Sequence, residues 1–157
     1  MTLAGCAVTV AEPETASEAE AEEIAALPAE ETGPAALDLT DTLSAVEGVS
    51  YADGVFTVTG SGAYRVTGSA AAQLVVDADG PVELILAGVG MQSPEAICVL
   101  SGATVTITTE AGTENTLFDG ADEPDEEATA VIWSKAPLVL GGEGTLTVLG
   151  GAHNGIR

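Results

Sequence analysis

The chain has 157 residues with 25 Asp+Glu against 3 Lys+Arg, giving a formal net charge of −22 and a pI of about 4.1. Nucleic acid is excluded as a charge-driven partner, because neutralising phosphates takes clustered Lys and Arg and only Arg65, Lys135 and Arg157 are present. Docking on anionic lipid fails for the same reason, and no run reaches the roughly 18 apolar residues of a membrane span, which leaves cations, calcium above all.

The chain opens with Leu3-Ala4-Gly5-Cys6, small residues ahead of a cysteine. This resembles the lipobox of bacterial lipoproteins over residues 1–6. The resemblance implies lipidation at Cys6, a cell-surface or extracellular location, and membrane contact only through that anchor. No basic n-region and no apolar h-region precede the box. Either the true start lies upstream of Met1, or Cys6 is an ordinary residue of a tail. Glu12–Glu23 and Leu27–Pro34 then form an acidic, Ala- and Pro-rich stretch. Such a stretch has too little apolar area to offset its ordering entropy. Its composition predicts a disordered linker over 7–50 and a folded domain over 51–157.

Hydrophobic residues make up 46% of the chain and aromatics only 3%, with 19 Gly. A core of Val, Leu, Ile, Ala and Thr reads as many short strands and turns. From Val55 onward the chain repeats itself. Ile97–Ile107 lies over Ala130–Leu140 at an offset of 33, with every apolar position matched. Each copy has an apolar strand, a two-residue corner (Ser101-Gly102, Ser134-Lys135) and a strand of period two. An earlier copy runs from Leu74 to Leu86, and a later one begins at Gly155-Ile156. Short third strands close the units at Val89–Met91, Asn115–Phe118 and Gly144–Val148.

Three short strands per turn of about two dozen residues, with small polar corners, predict a right-handed parallel β-helix. Each strand buries one face inward and bonds to the turns above and below. An antiparallel β-sandwich also gives short, evenly spaced strands. Against it stand the matching corners and the lack of hairpin signals within a unit, His153-Asn154-Gly155 being the nearest to one. The sequence stops one residue after a unit begins, so this reading expects further turns beyond Arg157.

The excess length of the Ala130 copy lies between Leu117 and Ala128. Six of the ten residues from Phe118 to Glu127 are acids: Asp119, Asp122, Glu123, Asp125, Glu126 and Glu127. Such crowding is repulsive unless a cation sits there, and carboxylates close together on a turn-rich loop suit calcium. The spacing is not that of an EF-hand, and a solvated acidic loop that binds nothing tightly is the other reading. Asp119 and Asp122 are favoured as ligands, because Gly120 permits the tight turn that brings both inward.

Gly112–Gly120, Asp122–Asp125, Ala130–Lys135, Gly142–Val148 and Asn154–Ile156, taken in order, are similar to a family of bacterial surface proteins. Its members are usually called carbohydrate-binding domain-containing proteins. The resemblance spans roughly Val55 to Arg157. It implies a polysaccharide-lyase-like right-handed parallel β-helix that carries calcium and binds cellulose and polygalacturonate. It also implies a calcium region at Asp119 and the Asp122–Asp125 loop, with Glu123 inside it, and a turn role for Lys135. Where the family often shows Asn-Asp-Gly, this chain has His153-Asn154-Gly155, which argues against a cation there.

Sugar rings stack on aromatic faces, and the candidates are Trp133, Tyr51, Tyr64, Phe56 and Phe118. Trp133 aligns with Leu100 in the repeat, so an inward-facing position would make it core instead. Arg65 reads as covering the first turn, His153 as a loop residue, and Cys98, within an apolar run, as a buried thiol. The function expected is a non-catalytic, calcium-stabilised protein holding polysaccharide such as cellulose or pectin. A lyase would need a base beside calcium, and Lys135 alone is near the acidic loop. A purely structural stalk or adhesin is the third reading.

Overall fold

Asp53 has φ 50° and Gly54 φ 85°, the left-handed pair of a two-residue hairpin turn. They join β2 (Val49–Ala52) to β3 (Val55–Val58), the one antiparallel pair among the described strands. The hairpin signal of this chain is therefore Asp53-Gly54 and not His153-Asn154-Gly155.

The computed structural model describes residues 33–120 and 128–157. Cys6, Asp122, Glu123 and Asp125 lie outside the described residues. Pro34–Arg157 form one unit by themselves, and its described residues hold thirteen strands and no helix. The fold is all-β, as expected.

Two sheets divide the strands. One runs β1 (Ala35–Asp38), β4 (Gly62–Ala70), β6 (Val82–Gln92), β8 (Val105–Thr109), β11 (Leu138–Gly142), with β9 (Glu114–Phe118) and β12 (Thr145–Leu149) continuing beside the far half of β6. The other runs β2, β3, β5 (Gln73–Asp77), β7 (Ile97–Ser101), β10 (Ala130–Ser134), β13 (Asn154–Ile156). From β4 onward each strand pairs in parallel with its counterpart one circuit earlier, and the chain passes from sheet to sheet except between β8 and β9 and between β11 and β12, which stay in one sheet. These ladders exclude the antiparallel sandwich. The second and third strands of the repeat share one sheet: β4 and β6 carry both in a single run, with a register shift between Val66 and Gly68.

Strand β1 and the first half of β2 lie within the residues that composition assigned to the linker. Leu37 and Leu39 are each 2% exposed, so even this polar stretch contributes to the core.

The period-two pattern dictates the core. Along β6, Val82, Leu84, Leu86, Val89 and Met91 are buried, while Glu83 and Ile85 face outward. Parallel pairing then stacks like on like. Phe56, Leu74, Ile97 and Ile132 form one inward column, and Tyr64, Leu84 and Ile107 another.

The register of β10 differs from the sequence alignment. The ladder sets Ile132, not Ala130, beside Ile97, and Trp133 beside Cys98 rather than Leu100. A slip of two residues keeps every side chain on its face, because the strand period is two. Leu100 is skipped in the β5–β7 ladder, which passes from Val76–Val99 to Asp77–Ser101. A bulge of this kind, with Leu100 42% exposed, is what a straight alignment across the repeat cannot register.

Candidate functional site

Ile132 is fully buried and its neighbour Trp133 only half-buried. The ladder sets Trp133 in the row beside the inward Leu74–Ile97–Ile132 column, on the outer side of its sheet, which removes the core reading. In the same outer row lie Val75 and Cys98. The Lys135 ammonium stands 5.2 Å from the Trp133 ring centroid, within cation–π range. Arg157 flanks the same strand: its amide donates to the Ile132 carbonyl at 2.9 Å, and its carbonyl accepts from the Ser134 amide at 3.0 Å. In a chain of net charge −22, two of the three basic residues thus border the single Trp. Cys98 is 5% exposed, and burial pushes its thiol up to about 11, with Glu95 adding and Lys135 opposing.

The acidic insertion leaves β9 at Asp119, which is 4% exposed. Its Oδ2 accepts the amides of Gly151 at 2.8 Å, Ala152 at 2.8 Å and His153 at 3.1 Å. The Nδ1 of His153 lies 3.4 Å from the same oxygen. This carboxylate gathers the loop between β12 and β13, and an oxygen ringed by N–H donors is unsuited to a cation. Among the described residues no three His, Cys, Asp or Glu side chains converge as a metal set. His153 is a loop residue, as expected, with its side chain turned inward.

The comparison that decides the class is with known families: the carbohydrate-binding domain-containing protein model matches residues 52–157, about two thirds of the chain. The chain belongs to this carbohydrate-binding domain-containing family. No curated protein matches it, and no solved structure does.

The stretch shared with the carbohydrate-binding domain-containing family runs from the end of β2 through β13, so it includes Trp133, Asp119 and the acidic insertion. Of the other aromatic candidates, Phe56 and Tyr64 are core, at 2% and 4% exposed. The Tyr64 hydroxyl donates to the Gly60 carbonyl at 2.9 Å. Phe118 is half-buried, and Tyr51 is 42% exposed, its ring tilted against Phe56 with centroids 4.6 Å apart.

Arg65 has a partner that spacing does not reveal. Its Nε donates to Glu110 Oε1 at 2.9 Å and its Nη2 to Glu110 Oε2 at 2.6 Å. The Arg65 guanidinium holds the Glu110 carboxyl below its ordinary value. A second unforeseen residue is Asn115, 1% exposed. Its Oδ1 accepts the Gly88 and Val89 amides at 3.0 and 2.9 Å, and its Nδ2 donates to the Thr145 carbonyl at 3.1 Å. One side chain thus ties together three successive circuits. A polar residue at an inward position of a period-two strand is the signal that marks it.

Proposed function

We propose that the chain is a non-catalytic carbohydrate-binding module of the bacterial cell surface, a right-handed parallel β-helix that holds polysaccharide such as cellulose or pectin. The family match over 52–157 carries this reading. The alternating parallel ladders support the β-helix. The outward Trp133 supports the binding, since a ring on a rigid strand is a stacking platform for a sugar, with Lys135 beside it to meet a carboxylated one.

In this reading calcium is held by Asp122, Glu123 and Asp125, with Asp119 contributing. The ion's chemistry is charge neutralisation and loop ordering. Cys6 carries the lipid.

The test is retention on insoluble cellulose and on immobilised polygalacturonate, with and without chelator. The unmodified protein is expected to be retained, and Trp133→Ala to lose about tenfold or more in affinity with its melting temperature kept. Millimolar calcium is expected to raise the melting temperature, since a ligand bound only by the native state stabilises it. Retention on neither polymer would overturn the binding role. Steady release of unsaturated product from polygalacturonate would replace it with a lyase, and an unmoved melting temperature would remove the ion.

A further inference from the structure

On the other sheet, away from Trp133, the outer face carries a groove of about 440 Å³ across β4, β6 and β8. Its lining includes Gly62, Ala63, Pro81, Glu83, Thr104 and Thr106. That volume is within the roughly 300–1,000 Å³ usual for small-ligand sites. Ala63, Glu83 and Thr106 are register neighbours on three successive strands, so they form a row running across the sheet. Ala63 and Gly62 keep the floor low at one end.

The polar groups in the row are a carboxylate and a hydroxyl. The Thr108 hydroxyl donates to Glu83 Oε1 at 2.9 Å, which orients the carboxylate from the side. The Thr104 hydroxyl donates to the Ala103 carbonyl at 2.8 Å. The lining contains no basic residue and no aromatic. A carboxylate needs donors, and a polyol offers many of them at hydroxyl spacing. A uronate chain would bring its own carboxylate against Glu83, in a protein already at −22. The groove therefore discriminates by charge in the opposite sense to the Lys135–Trp133 face.

We infer that this groove is a second glycan site, taking a neutral polysaccharide chain, with Glu83 accepting its hydroxyls and Thr106 completing the polar row. The inference rests on the carbohydrate-binding reading above and adds a site to it.

Isothermal titration of the full chain with cellohexaose and with oligogalacturonate tests it. Two variants are used, Glu83→Ala, which removes the acceptor, and Ala63→Arg, which fills the floor from the outer face. Their melting temperatures are expected to match the unmodified protein. Cellohexaose affinity is expected to fall about tenfold or more in each, in Glu83→Ala by the size of a lost hydrogen bond to a charged group and in Ala63→Arg by occlusion of the floor. Oligogalacturonate affinity is expected to hold or rise. Unchanged cellohexaose binding in both variants overturns the groove while leaving the carbohydrate-binding role intact. Failure of the unmodified protein to bind cellohexaose also overturns the groove. If it is retained on no glycan at all, the binding role falls as well.

Discussion

The Gly151 amide donates to Asp119 Oδ2 at 2.8 Å across 32 residues of sequence. With the Ala152 and His153 amides on the same oxygen, Asp119 is the anchor of the last described loop. Removing it leaves three part-buried amide donors without that acceptor. Asp119→Ala is expected to cost about 2–4 kcal/mol in urea unfolding, and Asp119→Asn less, since one carbonyl oxygen remains. The loss should persist with chelator present. A loss seen only in calcium would make Asp119 a metal ligand and not an anchor.

Arg65 and Glu110 set an acid-side dependence. The Glu110 carboxyl is lowered from its ordinary 4.5 by the Arg65 hydrogen bonds, with the ionic attraction adding. A lowered value in the folded state means stabilisation that is fully present above 4.5, and that fades as the pH falls through the folded-state value. Arg65→Met is expected to flatten the fall in stability below that point and to leave glycan retention unchanged. Both side chains are well exposed, at 42% and 38%, so salt should weaken the effect. Denaturation midpoints from pH 7 down to 3 at two ionic strengths check it.

Cys98 is expected to be inert. With its thiol near 11 and 5% exposed, the thiolate that reacts with disulfide reagents is scarce at pH 8. Native protein should label far more slowly at Cys98 than protein in urea. Tryptic mass spectrometry separates Cys98 from Cys6. Rapid native labelling of Cys98 would mean that the outer row beside Trp133 opens readily.

Gly142 sits at φ 107°, and an added Cβ would lie 2.3 Å from the Thr109 backbone nitrogen and oxygen. Gly142→Ala combines left-handed strain with a backbone clash between β11 and β8. It is expected to destabilise by about 2 kcal/mol or more. Gly141, where nothing lies within 4 Å of an added Cβ, is the control, and Gly141→Ala should cost well under half as much. Thermal melts of the pair check the difference.

Much of the fold is legible in the residues themselves. Leu74 and Ile97 could be stacked from spacing, and the outward Thr106 and Thr108 placed from alternation, because a strand of period two writes its buried face into the sequence. The hairpin at Asp53-Gly54 was equally available, since Asp-Gly between apolar strands is the chemistry of a tight turn, but it stands outside the repeat. The site was less legible. Trp133 is identifiable as the sole Trp, yet its register neighbour is Cys98 and not Leu100, a two-residue slip that the repeat spacing does not show.

What the sequence alone determined is the class: stacked short parallel strands, an acidic excursion after Phe118, and membership visible in ordered motifs. Composition and period suffice for these, because local geometry fixes which side chains can share a face. Only the tertiary structure decided that Asp119 serves the 151–153 amides, that Arg65 meets Glu110, and that Ala63, Glu83 and Thr106 line up in one groove. Those partners lie one or more circuits apart. The distance along the chain between them is set by corners, bulges and an insertion whose lengths no periodicity constrains.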